Sequence, residues 1–168
     1  MSIKILVLGD THAYTFNELN QVLINKIKEA DWVIHTGDYI TLKVLKSFRD
    51  LKSQKFKGVY GNADPLDIRK SIQSKEVFTI HGKRIGITHP SEGGPEEGTE
   101  KVALSKFKEE RLDILIYGHT HEAKIKKEKD ILIVNPGKAY IEPNSFTPHA
   151  TYCIIEIDDD ISIKMKKI

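Results

Sequence analysis

The chain has 168 residues, 39% hydrophobic and 30% charged, with a formal net charge of +2. That balance suits one globular domain spanning residues 1–168 with a sizeable core, and gives no reason for a general attraction to nucleic acid or membrane. The single cysteine, Cys153, excludes an internal disulfide. No segment is long and apolar enough for a membrane span or a signal peptide, so a cytoplasmic protein is the expectation.

Ile3 to Leu8 is a near-continuous apolar run, as expected of a strand buried on both faces. It stops at Gly9-Asp10-Thr11-His12. Asp10 and His12 stand at i and i+2, a spacing that puts both side chains on one face of an extended backbone. Phe16, Leu19, Leu23, Ile27 and Ala30 then recur at helical spacing. Trp32-Val33-Ile34 reads as a second strand ending at His35-Thr36-Gly37-Asp38, followed by a helix marked by Leu42, Leu45, Phe48 and Leu51. Phe56 to Tyr60 gives a third strand, ending in Gly61-Asn62-Ala63-Asp64 and closed by Pro65. Strands alternating with helices argue for βαβ units and a parallel sheet, in which ligands gather at the carboxyl ends of the strands.

After Pro65 the pattern changes. Val77 to Ile80 and Arg84 to Ile87 flank His81-Gly82-Lys83, a hairpin signal, and the second of these strands ends at Thr88-His89. Pro90 to Gly98, with three glycines and two prolines, reads as a loop, and Val102, Ala103, Lys106 and Phe107 as a helix. Asp113 to Tyr117 is a strand opening onto Gly118-His119-Thr120-His121, a second i, i+2 pair. Ala123 to Glu128 with Ile131 to Val134, and Ala150 to Ile157 with Ile161 to Met165, read as two further hairpins. Cys153, inside an apolar strand, reads as a buried inert thiol.

Five strand ends thus offer Asp10, His12, Asp38, Asn62, His89, His119 and His121. All are oxygen or imidazole donors and none is a thiolate, which favours Mn, Fe, Co, Ni or Zn. Seven donors exceed the need of one ion, so two divalent ions per chain are implied. An ion pair about 3.5–4 Å apart is the usual clamp for displacement at phosphorus. At any single position a local role competes, with Asp10 as a helix cap or Asn62 as a turn residue. Five such clusters at five strand ends are hard to explain that way.

The motifs Gly9-Asp10-Thr11-His12, Gly37-Asp38, Gly61-Asn62, Thr88-His89 and Gly118-His119-Thr120-His121 resemble, in order and type, those of the calcineurin-like metallophosphoesterase superfamily. The short chain and Asn135-Pro136-Gly137 resemble its small MJ0936/YfcE-like phosphodiesterase branch, to which Vps29 is related. The resemblance implies an α/β fold, a four-layer αββα sandwich of two mixed sheets flanked by helices. It further implies that Asp10, His12 and His121 hold one ion, that Asn62, His89 and His119 hold the other, and that Asp38 bridges them. Asp38, Asn62, His89 and His119 would be catalytic, and a metal-bridging water, as hydroxide, would be the nucleophile. The implied substrate is a small phosphodiester, with no membrane and no stable nucleic-acid complex; a homo-oligomer is left open. The other reading is a non-catalytic scaffold for a protein partner, as Vps29 is. Competent residues at all seven positions favour the enzyme.

Two positions depart from the family pattern. A histidine often follows Gly-Asn and helps protonate the leaving group; here Ala63 stands there and cannot. Gly-His often follows the histidine of the fourth motif; here it is Pro90-Ser91. Glu92, Glu96 and Glu97, if they border the site, would disfavour highly charged substrates. His35 reads either as a support for the ligands or as a satisfied core histidine. Lys124, Lys126, Lys127 and Lys129 read first as a charged, protected edge.

Overall fold

The computed structural model describes residues 1–141 and 149–168. In the first sheet, β1 (Ile3–Leu8), β2 (Trp32–His35) and β3 (Phe56–Gly58) run parallel. β9 (Thr151–Ile157) pairs antiparallel with β1, and β10 (Ile161–Lys167) with β9, giving the order β10-β9-β1-β2-β3. The second sheet contains β4 (Lys75–Ile80), β5 (Lys83–Thr88), β6 (Ile114–Tyr117), β7 (Lys124–Glu128) and β8 (Ile131–Asn135). Its order is β4-β5-β6-β8-β7, with β5, β6 and β8 parallel.

Side-chain alternation explains why the strands read as continuous apolar runs. On β1, Ile5 and Val7 face the second sheet and pack with Ile34, Ile85, Ile87, Ile114, Ile116, Val134, Cys153 and Ile155. Leu6 and Leu8 point the other way, to Leu23 and Ile27 of α1 (Gln21–Glu29) and to Leu45 and Phe48 of α2 (Leu42–Lys52). On the far side, Leu115, Tyr117 and Ile133 pack with Ala103 of α4 (Glu96–Lys106) and with Phe107. Helix, sheet, sheet and helix are therefore the four layers, as expected. Each fully buried aliphatic side chain contributes about 1.5–3 kcal/mol, so these rows set the register of the sandwich.

Three local readings change. The helix expected from Phe16 to Ala30 is a 3-10 turn, Phe16–Glu18, followed by α1, because the Asn20 side chain accepts the Val22 N–H at 2.8 Å and caps the helix afresh. A short helix, α3 (Leu66–Ser71), follows Pro65, where the sequence showed only a turn. The segment read as a loop from Pro90 to Gly98 is a loop only in part. Ser91–Gly93 forms a 3-10 turn, and α4 starts at Glu96, directly after Pro95. Glu92 pairs with Lys106 at 2.5 Å, which offsets the charge expected to repel substrates. β7 is an edge strand as read, and two of its lysines are paired: Lys124 and Lys126 reach buried Glu100 at 2.5 and 2.7 Å. No helix among the described residues is long and apolar enough to cross a membrane.

Candidate metal centre

Both sheets bring the carboxyl ends of their parallel strands to one rim. The turns after β1 and β2 are tied together there: Asp10 N–H donates to the Gly37 carbonyl at 2.9 Å, and His12 N–H to that of Asp38 at 3.2 Å. Close approach needs residues without a side chain. A Cβ on Gly118 would lie 2.6 Å from Thr36 Oγ1 and 3.0 Å from His89 Nδ1. Gly37, at φ 111°, would place one 2.7 Å from Gly61 N. Non-glycine residues pay for the geometry too. Asp10, His12, Asp38, His119 and His121 all have φ between 46° and 98°, a backbone region that costs about 1–3 kcal/mol per residue and collects at functional sites.

The structure brings all seven candidate donors together. Asp10, His12 and His121 each offer an atom within 4.8 Å of the others, as do Asp10, Asp38 and His89. Asp10 Oδ1 lies 3.2 Å from His121 Nε2 and 3.9 Å from His12 Nε2. Asp38 Oδ2 stands 3.4 Å from both His12 Nε2 and His89 Nε2, between the two groups. Asn62 Oδ1 is 3.0 Å from His89 Nε2 and 3.0 Å from His119 Nδ1. Asp10, Asp38 and His89 are buried; His12, Asn62, His119 and His121 line the open side.

These contacts fit a cation better than they fit one another. A carbonyl can only accept, so His89 Nδ1–H donates to Thr36 O at 2.9 Å. With Nδ1–H so placed, the ring presents Nε2 to Asn62 Oδ1 at 3.0 Å, and both atoms can turn their lone pairs to a cation. Asp10 Oδ1 and His12 Nε2 are buried atoms that make no hydrogen bond of good geometry among the described residues; their neighbours are the ion-pair contacts to His121 at 3.2 Å and to Asp38 at 3.4 Å. Leaving such atoms unpaired is costly, and a divalent ion satisfies several at once. Charge points the same way. Burial works against the Asp38 anion, yet His12, His89 and the Ala63 N–H hold its carboxyl at about 2. Burial and neighbouring His89 lower His119, keeping the ring neutral. The Asp10 carboxylate, 3.2 Å away, raises His121, so a cation at that site competes with a proton for the ring nitrogen.

The supporting residues were only partly visible in the sequence. His35 is fully buried, and burial holds it well below the usual imidazole range. Its Nδ1 accepts the Gly37 N–H at 3.1 Å, so Nε2–H donates to Thr11 Oγ1 at 3.1 Å. It is thus both a satisfied core residue and a brace for the Gly37-Asp38 turn. Asp64 was passed over. Its Oδ1 accepts the Tyr39 and Ile40 N–H groups at 2.7 and 2.9 Å, and its Oδ2 those of Asp38 and Gly61 at 2.9 and 2.8 Å. An acid two residues after Asn62 was the available signal. Tyr140 was also missed: it stacks on His12 at 4.7 Å, edge-on to His121 at 5.8 Å, with Lys138 Nζ 5.3 Å from its ring. Asn135-Pro136-Gly137 steadies the histidine turn, since Asn135 Nδ2–H donates to Thr120 Oγ1 at 2.9 Å.

The family model described as the calcineurin-like phosphoesterase superfamily domain matches residues 3–160. The probable metallophosphoesterase MJ0623 of Methanocaldococcus jannaschii is 31% identical over 160 residues, covering 95% of this chain and 78% of that one. The phosphodiesterase MJ0936 of the same organism is 29% identical over 147 residues, covering 81% and 84%. Among solved structures, vacuolar protein sorting 29 from Cryptosporidium parvum aligns with a TM-score of 0.76 over 99% of this chain and 98% of that one. At 18% identity that likeness is one of fold.

Proposed function

The chain belongs to the calcineurin-like phosphoesterase superfamily, and within it we propose that it is a phosphodiesterase dependent on two divalent metal ions, acting on small phosphodiesters in the cytoplasm. The observation that carries this is the convergence of donor atoms: Asn62 Oδ1 lies 3.0 Å from His89 Nε2, Asp38 Oδ2 3.4 Å from both His12 Nε2 and His89 Nε2, and Asp10 Oδ1 3.2 Å from His121 Nε2. Asp10, His12 and His121 suit one ion; Asn62, His89 and His119 suit the other; Asp38 stands between. Such an ion pair, when bound, acidifies water to a nucleophile at neutral pH and neutralises charge on the phosphoryl oxygens.

The chain's own residues do the rest. Thr36 O fixes the tautomer of His89 and aims its Nε2 into the site. Asp38 stays ionised across the working pH range because its neighbours hold its carboxyl so low. Asp64 fixes the backbone of Asp38 and of Gly61 through one carboxylate oxygen. Residue 63 is alanine, whose N–H donates to Asp38 Oδ1 at 2.9 Å and whose side chain has no proton to give. That favours esters whose alcohol leaves without one, and the likeness to MJ0936 supports a diester substrate.

Metal-free protein, reloaded separately with Mn²⁺, Ni²⁺, Co²⁺, Fe²⁺ or Zn²⁺, should be assayed on bis(p-nitrophenyl) phosphate and on p-nitrophenyl phosphate. Metal-dependent cleavage with the diester preferred is expected. Cleavage of neither ester with any metal would sink the enzymatic reading. It would leave the scaffold reading, which the Vps29-like fold keeps in view.

A further inference from the structure

Arg69 lies outside the donor set, on the exposed side of α3. Its guanidinium reaches back across the turn that precedes the helix. Nε–H donates to the Asp64 carbonyl at 2.7 Å, and Nη2–H to the Asn62 carbonyl at 2.7 Å. Its Cζ sits 5.5 Å from the Tyr60 ring centroid, a cation–π contact that adds a further hold on the fork. The Arg69 N–H donates to Pro65 O at 3.1 Å, so the first turn of α3 holds Arg69 in place.

The clamped turn carries three separate links to the centre. Asn62 Oδ1 meets His89 and His119, Ala63 N–H meets Asp38 Oδ1, and the Asp64 carboxylate meets the Asp38 N–H. The Asp64 carboxylate and the Ala63 N–H hold the turn on its inner side, while on its exposed side the Asn62 and Asp64 carbonyls are held by Arg69. A planar fork with two charge-assisted bonds restricts the turn in a way a lysine cannot. We propose that Arg69 is a positioning residue: it clamps the Asn62 and Asp64 carbonyls so that Asn62 Oδ1 stays aimed at the site formed with His89 and His119.

This rests on the reading of Asn62 as a metal donor, and a double-mutant cycle separates the two claims. Metal-free wild type, Arg69→Met, Asn62→Ala and the double variant are titrated with Mn²⁺ by calorimetry, and thermal melts of the metal-free proteins show whether each folds. Methionine keeps the stem over Tyr60 and removes the fork. Outer partners of metal donors typically alter affinity about 10–100-fold. Arg69→Met should therefore weaken one of two binding steps at least tenfold and leave the other unchanged, with Arg69→Lys restoring little. In the Asn62→Ala background, where that step is already lost, Arg69→Met should change nothing further. If Asn62→Ala keeps both steps, the donor reading fails and the proposal with it. If Asn62→Ala loses a step but Arg69→Met does not weaken it, the donor reading stands and the clamp is overturned. Equal weakening of both steps, or a raised KM with metal binding intact, also overturns it. The first marks general loosening and the second a direct substrate contact.

Discussion

Replacing Asp64 by asparagine should destabilise the fold more than any other single exchange of one polar side chain for another at the rim. Asp64 is 2% exposed and accepts four backbone N–H groups, two on each oxygen. Asparagine keeps one acceptor oxygen. Placed at Oδ1, it still serves Tyr39 and Ile40, but its NH₂ then points at the donors of Asp38 and Gly61. Two buried N–H groups lose their partner and meet another donor. Each buried donor left unpaired costs about 1–3 kcal/mol, so the loss is roughly 3–5 kcal/mol, a large part of the 5–15 kcal/mol that holds a typical domain folded. Asp64→Ala leaves all four unpaired, yet admits water where the carboxylate stood, so its cost should be similar rather than doubled. Urea unfolding of metal-free protein, followed by circular dichroism, measures both, with an unchanged m-value required. A loss under about 1 kcal/mol for Asp64→Asn would refute the reasoning, because the four bonds would then be no better than bonds to water.

Asp38→Ala should abolish activity and lose at least one ion, since Asp38 Oδ2 is 3.4 Å from a donor of each group; metal analysis alongside rates checks it. Aryl diesters should outpace alkyl diesters, and Ala63→His should help the alkyl substrate most, by up to about 10²-fold if the ring acts as a general acid. Equal rates on both esters, with chemistry rate-limiting, would mean that another group supplies the proton. Burial pushes the Cys153 thiol up to about 12, so a disulfide reagent at pH 8 should label it only after unfolding; labelling of the native protein within minutes would contradict that.

The strand ends were legible because both signals there are local. An apolar run buried on two faces stops abruptly, and a donor follows within four residues, as at Leu8 to His12 or Tyr117 to His121. The runs themselves led to a parallel sheet; that there are two mixed sheets came from the family resemblance. The sequence was silent where a contact depends on an element too short to show periodicity. α3 is six residues long with one buried side chain, Ile68, so neither the helix nor the reach of Arg69 could be read. Tyr140 was hidden for a different reason. It touches His12 and His121 because the chain returns past the end of β1, where the Ala139 N–H donates to Gly9 O at 3.0 Å, a pairing no local pattern announces. The loop reading from Pro90 to Gly98 holds only in part, because glycines and prolines border helices as well as loops, and Pro95 is the N-cap of α4.

The central claim is that seven donors form two ion sites sharing Asp38, and it is tested most directly by counting metal. Protein stripped of metal, saturated with Mn²⁺, passed through a desalting column and analysed for manganese and for protein should hold two ions per chain. Asp38→Ala should hold one or none. One ion or fewer in the saturated wild type would contradict the account.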